Sequence, residues 1–370
     1  MTERELIEIR LARQHLTVKA ERRTAVRDLL GLQAQFMVNA MHALRIRCRE
    51  MFSEAKAGEG LVKNWTVRGT VHVFDEADLG LFRHDPALYR SMNFRGYGYF
   101  DEKRLYWGLQ KPYGDEIRRA WEKDGCVWTL TPERQRHWSE FILRQVAEGT
   151  EEREALKEAC RNAGMTAAEA DAMFDPWGGG MRDLCERGFL HYRVQEKKAF
   201  VLTPPFIPMG TERAEREMLD RYLRCYAPAT VRDMAYYFGW PQTKVKRILS
   251  DLPAERTEIG ENVYFWLGEL PDAPGIPSCI LLAGFDPLML GYKKEESLFL
   301  MPEYLRGIFN RAGIVMPAIL LNGRVAGCWK RKNGVFTAEP FASLTAKEKQ
   351  HIAEAAESCF TTLSKIEWNE

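Results

Sequence analysis

The sequence lacks the signals of several large protein classes. No apolar run approaches the ~20 residues that cross a bilayer, and the amino-terminal residues contain no apolar signal-peptide core. The eight cysteines include no C-x-x-C pair, so neither a zinc ribbon nor a disulfide framework is indicated. Walker, H-E-x-x-H and G-x-S-x-G motifs are also missing, which argues against nucleotide hydrolysis, zinc proteolysis and esterase chemistry. We therefore expect a cytoplasmic protein with no membrane segment, no metal and no other cofactor.

A strong excess of charge is missing as well. The formal net charge is +1 at pH 7 in 370 residues, of which 28% are charged and 45% are hydrophobic. These values are typical of an ordered globular chain that is long enough for two to four domains. They exclude a uniformly basic surface of the histone type, although a net charge near zero is compatible with one basic face.

What the sequence does contain is a recurring order of helix, turn, helix and paired strands, which is typical of a winged helix. The predicted elements are helices at 20–30 and 36–48 with a strand at 64–74, then helices at 131–149, 150–164 and 181–187 with strands at 188–194 and 198–203, then helices at 230–238 and 242–252 with strands at 255–259 and 262–267. The repetition predicts three tandem winged helices, over residues 1–125, 126–205 and 206–272. An aromatic segment at 85–115 is either a loop packed over the core or a surface for nucleobases.

The last hundred residues have a different pattern. From Cys279 onward, short β-rich runs are separated by Asn322-Gly323 and Asn333-Gly334, and Asn-Gly is a strong hairpin signal. A helix is expected from about Thr345, where the residues Thr345 to Glu348 fit a capping box. We expect a small β-barrel region closed by this helix over residues 273–370. The predicted fold is therefore α+β, with three tandem winged-helix domains arranged around a small C-terminal β-barrel.

One short polar stretch lies between the first two helices, at Gly31-Leu32-Gln33-Ala34-Gln35. Gly31 is expected to cap the first helix with a positive φ. On a regular helix the side chains of Gln33 and Gln35 would point about 200° apart, whereas at a helix junction both amides can face one cleft. The alternative is that the two amides only cap the junction.

The sequence carries three further motifs: Arg68–His72, Phe285–Tyr292 and Asn322–Trp329. Together with Gly31–Gln35 they resemble the winged-helix DNA glycosylases of the AlkZ/YcaQ type, from about Ile9 to the carboxyl terminus. The resemblance implies a monofunctional DNA glycosylase that hydrolyses the N-glycosidic bond of purines alkylated at N7 or N3, or of interstrand-crosslinked purines. It also implies double-stranded DNA containing alkylated bases as the partner. We expect the chain to act as a monomer.

The resemblance assigns catalysis to Gln33 and Gln35. Glutamine does not titrate, so it cannot be an ordinary general base. An N7- or N3-alkylated purine is already cationic, however, and leaves as a neutral base without being protonated. The tasks that remain are to place a water below C1′ and to stabilise the developing oxocarbenium charge, which amide oxygens can do. We expect Gln35 to place the water and Gln33 to orient the water or the sugar, although the two roles are not distinguished by the sequence.

Nine residues are expected to contact DNA. Arg45, Arg47, Lys244 and Arg247 suit phosphates, Arg68 and His72 suit the backbone near the lesion, and Asn322, Arg324 and Lys330 belong to a hairpin that would probe the duplex. Each group has a structural alternative. Arg68 and His72 are equally compatible with a satisfied polar pair, and the basic residues of the third unit with a solvated helix face.

Two other functions remain open at this level. One is a non-catalytic winged-helix DNA-binding protein or transcriptional regulator, which would read a DNA sequence and release no base. The other is a protein-interaction scaffold, which would bind no duplex even at low salt, where nonspecific contacts are strongest. No dimerisation heptad or ligand-sensing domain is visible, which weakens the regulator hypothesis.

Overall fold

The structure is a computed structural model, and it describes residues 1–52, 54–82, 130, 132–175, 179–272 and 275–369. These residues combine helices and sheets in two compact units. The first unit joins Met1–Ala57 to Glu215–Glu370, and the second unit is Gly58–Ala214. The aromatic segment that the sequence analysis singled out at 85–115 lies outside the described residues. No helix in the described part of the chain is both long and apolar enough to span a membrane.

The amino-terminal part of the first unit is mainly helical. Its elements are α1 (Glu3–Arg13), α2 (Arg22–Asp28), β1 (Leu32–Gln33), α3 (Met37–Arg45) and α4 (Glu54–Ala57). A capping box opens α1, because the Thr2 hydroxyl accepts from the Glu5 amide and the Glu5 carboxylate accepts from the Thr2 amide. The helices α2 and α3 are shorter than the sequence pattern predicts, since the chain between them is extended.

The second unit contains two hairpins and a group of helices. Its elements are β2 (Leu61–Trp65), β3 (Val71–Asp75), α5 (Leu79–Phe82), α6 (Pro132–Ala147), α7 (Arg153–Asn162), α8 (Ala167–Met173), α9 (Gly179–Glu186), β4 (Leu190–Tyr192) and β5 (Phe200–Leu202). All the strand pairs are antiparallel: β2 with β3, β2 with β4 and β4 with β5. Helix α8 was not predicted, although Thr166 and Glu169 form a capping box at its start.

The strand expected over residues 64–74 is instead a hairpin. Its turn is closed by hydrogen bonds from the Thr66 amide to the Thr70 carbonyl (3.2 Å) and from the Gly69 amide to the Thr66 carbonyl (2.9 Å). The apolar alternation continues through the turn because Trp65 and Val71 are directly opposite each other. Arg68 therefore lies in the turn, which corrects the expectation of one continuous strand over residues 64–74.

The remainder of the first unit begins with the third helix–turn–helix pattern. Its elements are α10 (Thr211–Cys225), α11 (Val231–Phe238), α12 (Gln242–Ser250), β6 (Glu255–Ile259) and β7 (Asn262–Trp266). Thr230 and Asp233 form a capping box at the start of α11, and Gly239 ends the helix with φ +65°. The predicted bounds of the two helices and the two strands are confirmed to within two residues.

Two buried arginines attach α1 to this segment. Arg10 donates from Nε and Nη2 to the Pro228 carbonyl at 2.9 and 2.7 Å. Arg13 donates to the carbonyls of Leu223 and Leu267 at 2.8 and 2.9 Å. Burial lowers the pKa of Arg13 to about 10, which still leaves the guanidinium charged at neutral pH. The carbonyl contacts satisfy buried donors that would otherwise be costly.

The last segment is a sheet covered by a helix. Its elements are β8 (Cys279–Leu281), α13 (Pro287–Leu290), α14 (Leu305–Ile308), β9 (Ala318–Leu321), β10 (Arg324–Lys332), β11 (Val335–Pro340), α15 (Ala346–Cys359) and β12 (Lys365–Trp368). The strand order is β12-β11-β10-β9-β8, with β12 parallel to β11 and the other pairs antiparallel. Thr345 and Glu348 form the expected capping box at α15.

The expected closed barrel is not found among the described residues. Strands β12 and β8 are the two edges of an open sheet. The core lies between this sheet and α15, where Ile352 and Ala356 of the helix are fully buried in one cluster with Trp329 and Phe336 of the strands. A helix that covers one face buries the apolar side of an open sheet, so closure is not needed.

The predicted Asn322-Gly323 hairpin is confirmed, but its turn packs against the protein. Asn322 and Gly323 have φ +48° and +84°, as a tight two-residue turn requires. A Cβ on Gly323 would lie 2.9 Å from Cγ2 of Ile7 and 3.2 Å from Cγ2 of Ile276. Asn322 itself is exposed. The turn therefore has one solvent-facing residue and one that touches α1.

We expect Gly323→Ala to destabilise the protein by at least about 1 kcal/mol, because the new Cβ meets Ile7 and a left-handed conformation is unfavourable for alanine. The matched control is Gly210→Ala, where nothing lies within 4 Å of the new Cβ. The measurement is the urea midpoint of each purified variant. Equal midpoints for the two variants would contradict the close packing at the turn.

Candidate active site

The Gln-Ala-Gln stretch lies where α2 gives way to α3, and the backbone there is unusual. Helix α2 ends at Asp28 with Leu29 as its C-cap residue, and the next two residues, Leu30 and Gly31, have φ +56° and +90°. The Gly31 amide donates to the Val26 carbonyl at 2.9 Å, which closes the end of the helix. The positive φ expected at Gly31 is confirmed, although the helix itself ends three residues earlier. A left-handed leucine is costly, so tertiary packing must hold this junction.

Burial changes only at the end of the Leu32–Gln35 segment. Leu32 and Ala34 are fully buried, Gln33 is also buried with 9% of its surface exposed, and Gln35 is exposed. Leu32 and Gln33 form β1, and the chain bends at Gln35. Gln35 is therefore the glutamine that solvent reaches, while Leu32 and Ala34 anchor the segment in the interior.

Neither glutamine caps a helix in the described part of the chain. Phe36 is the N-cap residue of α3, and no side chain caps that helix. The described residues offer no hydrogen-bond partner to the side-chain amide of Gln33 or of Gln35. The capping alternative thus lacks support there. The exposed Gln35 is accessible to a ligand, whereas only a small part of the Gln33 surface is.

Helix α3, which begins directly after this stretch, is held by a buried ion pair. Arg47 and Asp286 are both fully buried, and Arg47 donates from Nη2 to Oδ1 at 2.6 Å and from Nη1 to Oδ2 at 3.0 Å. Arg47 also donates to the carbonyls of Gln14 (3.0 Å) and Ala43 (2.9 Å). Asp286 in turn accepts from the Leu288 amide at 2.9 Å and caps α13.

A buried histidine supports the same helix. The ring of His42 lies 5.1 Å from that of Trp329 and 5.5 Å from that of Phe360, and Nε2 donates to the Leu281 carbonyl at 2.7 Å. Burial lowers the pKa of His42, and the hydrogen bond to Leu281 opposes that shift without reversing it. The imidazole therefore packs α3 onto β8 and β10 in its neutral form.

The structure changes the assignment of two expected DNA contacts. Arg47 is fully buried with Asp286, so it cannot reach a phosphate, and its role is to position α3. His72 is buried, with its Nδ1 3.0 Å from the Thr66 hydroxyl and 3.0 Å from the Thr70 carbonyl. The ring is thus bonded within its own hairpin, to Thr66 and Thr70 rather than to the Arg68 that the sequence-based alternative paired with it.

The other expected contacts divide by exposure. Those on the surface are Arg45, Arg247, Asn322, Arg324 and Lys330. Arg324 pairs with Glu3, and Lys330 pairs with Glu339. Exposed ion pairs of this kind are weak, so a phosphate can replace either carboxylate. Arg68 is half-buried in the β2–β3 turn.

Lys244, which the sequence analysis expected to contact a phosphate, is held by other groups of the protein. Its ammonium forms an ion pair with the buried carboxylate of Glu215 and lies 4.9 Å from the centre of the Trp240 ring. Lys246 and Arg247 are exposed on the same helix. On α12, therefore, Arg247 presents its charge to solvent, whereas the charge of Lys244 is compensated within the protein.

Sequence reasoning gave no role to Phe285 and Asp286, which lie against the candidate site on its interior side. Phe285 and Asp286 belong to a motif that was quoted only for its resemblance. Asp286 followed by Pro287 is a typical helix start, and this was the available local signal. Nothing local indicates the partnership with Arg47, because the two residues are 239 positions apart.

Comparison with known proteins agrees with the fold and identifies the family. A family model described as "DNA glycosylase AlkZ-like" matches residues 26–361. The chain is thus a DNA glycosylase by class, an enzyme that hydrolyses N-glycosyl bonds. Within that class it belongs to the AlkZ-like family. Among the described residues, no group of three or more His, Cys, Asp or Glu could hold a metal ion.

A curated sequence and a solved structure are each similar to this chain over nearly their whole length. A curated protein of Streptomyces sahachiroi, "Interstrand DNA cross-link repair glycosylase", is 23% identical over 394 residues, which covers 95% of this chain and 96% of that protein. The solved structure of the "Streptomyces sahachiroi DNA glycosylase AlkZ" matches with a TM-score of 0.71 and 21% identity, covering 100% of this chain and 99% of the other. The structural match establishes a shared fold.

We expect Arg47→Met to destabilise the protein by about 3–5 kcal/mol, because it leaves the Asp286 carboxylate buried without its partner. The double variant Arg47→Met/Asp286→Leu should lose less than the two single variants added together, since it leaves no buried charge. Urea unfolding measures both. The control is the exposed Arg247→Met, which should stay within about 0.5 kcal/mol of wild type. Simple additivity of the two buried substitutions would contradict the pairing.

The lowered pKa of His42 has a consequence for stability. In the unfolded chain the pKa of a histidine is about 6.5, so below that pH the unfolded state binds a proton that the folded state resists. The stability from neutral His42 is therefore complete above about pH 6.5 and is lost as the pH falls. We expect the melting temperature of wild type to drop more between pH 7 and pH 5 than that of His42→Gln. Parallel pH profiles would show that His42 is not buried in its neutral form.

Proposed function

We propose that this protein is a monofunctional DNA glycosylase that hydrolyses the N-glycosidic bond of N7- or N3-alkylated purines, or of interstrand-crosslinked purines, in double-stranded DNA. The observation that carries the proposal is the exposed Gln35 at the α2–α3 junction, two residues from the largely buried Gln33. Membership of a DNA glycosylase family and the name of the Streptomyces sahachiroi relative support it.

The chemistry suits two amides because of the substrate. When the C1′–N bond of an alkylated purine breaks, its electron pair neutralises the positive charge on the base, so no acid is needed. A water oxygen then bonds to C1′, and the proton it releases goes to solvent. Gln35 accepts a hydrogen bond from this water and places it, and Gln33 orients the water or the sugar. Their carbonyl dipoles also face the positive charge that develops on the sugar.

The exposure of Gln35 suits a crosslinked substrate. Ordinary glycosylases extrude the target nucleotide into a pocket. A purine joined to the opposite strand cannot be extruded, so the catalytic group must meet it on an open surface. Gln35 lies in a bend before α3 and is exposed, whereas a pocket enzyme would enclose it.

The duplex is held by contacts that do not read its sequence. Phosphates are contacted by the exposed basic residues Arg45, Arg247, Arg324 and Lys330. Arg68 and Lys244 are partly buried, and each contacts a phosphate where that phosphate replaces its partner within the protein. Asn322 approaches the duplex from the β9–β10 turn. We propose further that the three helix–hairpin segments act as tandem winged helices, over residues 1–125, 126–205 and 206–272, beside the C-terminal segment 273–370. In this proposal the protein works as a monomer in the cytoplasm.

The test is a base-release assay on a duplex with one N7-alkylguanine, run beside a crosslinked duplex. We expect release by wild type and a loss of about 10²–10³-fold in the single-turnover rate for Gln35→Ala, with duplex binding retained. The matched control is Gln350→Ala, since Gln350 is an exposed helical residue bonded only locally to Glu354 at 2.8 Å. A sequence-specific footprint without base release from either duplex would instead indicate a regulator.

A further inference from the structure

The residue after Gln35 is an aromatic one that the mechanism above does not use. Phe36 is 41% exposed, a large fraction for a phenylalanine two residues after the fully buried Ala34. Its ring stacks on that of Phe285, with 6.0 Å between ring centres and 23° between ring planes. One face of the Phe36 ring is thus supported from within the protein. In the described part of the chain, no second ring covers the other face.

The supporting residue is held in an uncommon conformation. Phe285 is buried and has φ +57°, a region that non-glycine residues adopt at a cost in free energy. Its amide donates to the Val315 carbonyl at 3.1 Å, which fixes the backbone. Strained residues of this kind persist where surrounding structure imposes them, often at functional sites. Here the strained residue is the one whose ring supports the ring of Phe36.

The residues on either side of Phe285 attach the same loop to α3. A Cβ on Gly284 would lie 2.7 Å from Nδ2 of Asn39, so the Asn39 side chain would have to move to make room for it. Asp286 holds Arg47, just beyond the carboxyl end of the helix. The loop therefore contacts α3 near its first turn through Gly284 and beyond its last turn through Asp286. The position of the Phe36 ring relative to Gln35 is fixed by this attachment.

An exposed, supported aromatic ring beside the reacting bond has a specific use. Purines stack on aromatic side chains, and a cation over the face of an aromatic ring gains additional electrostatic attraction. An alkylated purine is both a flat base and a cation. Phe36 is consequently able to favour the damaged base over an undamaged one by its charge, whereas Gln33 and Gln35 act at the sugar.

We infer that Phe36 is a specificity-determining residue whose free face stacks on the cationic purine, and that Phe285 is a positioning residue that orients the Phe36 ring. The inference rests on the proposed function, because it places the damaged base next to Gln35. It goes further in naming what distinguishes the lesion from a normal purine. The recognised property is the positive charge of the alkylated base rather than the added alkyl group.

The experiment measures binding without base release. The probe is a duplex with one 2′-fluoro-N7-methylguanosine, in which fluorine stabilises the glycosidic bond and the base keeps its charge, compared with a duplex carrying 2′-fluoroguanosine. We expect wild type to prefer the charged duplex. Phe36→Leu, which keeps an apolar side chain but removes the ring, should reduce that preference roughly three- to thirtyfold. Phe36→Tyr should retain it.

Two further variants separate stacking from general effects. Val38→Ala is the control, since Val38 is 70% exposed on the first turn of α3 and should not alter the preference. Phe285→Leu should lower the preference although this side chain is buried beneath Phe36, and its melting curve reports whether the variant is folded. The inference is overturned if wild type shows no preference, or if Phe36→Leu keeps it. Failure of wild type to release the base would overturn the proposed function alone.

Discussion

The ion pair between Arg47 and Asp286 is the constraint on which the candidate site depends. Both groups are fully buried, and the arginine also donates to the carbonyls of Gln14 and Ala43. Replacing a buried ion pair by apolar residues is often neutral, so such a pair adds little net stability. The pair instead fixes the relative position of the two segments that carry it, because moving either charge away would leave the other buried without a partner. Helix α3 is fixed on the 284–286 loop, and the position of Gln35 before that helix follows.

The use of amides instead of carboxylates is consistent with this rigidity. A titrating pair can adjust its charge during the reaction, whereas glutamine can only offer a fixed dipole. Fixed dipoles help when they are held in place before the reaction begins. The buried Leu32 and Ala34 hold the segment from its inner side, and the left-handed Leu30 and Gly31 set its direction. Packing therefore holds the two amide dipoles in place before the reaction, whereas glycosidases with two carboxylates rely on proton transfer.

Local signals predicted local structure well. The capping box at Thr345 and the two Asn-Gly turns were readable because each is decided by residues within a few positions. Pairings across long stretches of sequence were not readable. Arg47 was expected on the surface because arginine usually is, and only the fold brings Asp286 to it. The open sheet differs from the expected barrel for the same reason, since β12, at the end of the chain, pairs with β11 and forms one edge of the sheet. The glutamine pair was found by resemblance, and the unequal exposure of its two members required coordinates.

A single property of the lesion serves both halves of the proposed mechanism. The positive charge of an alkylated purine weakens the bond to the sugar, so neutral amides suffice for hydrolysis. The same charge strengthens stacking on an aromatic face, so the Phe36 ring next to Gln35 can select the base whose bond is already weak. An undamaged purine has neither property, and it is disfavoured at the binding step and again at the bond-breaking step. Selectivity then needs no close-fitting pocket, which is what an open surface for crosslinked DNA requires.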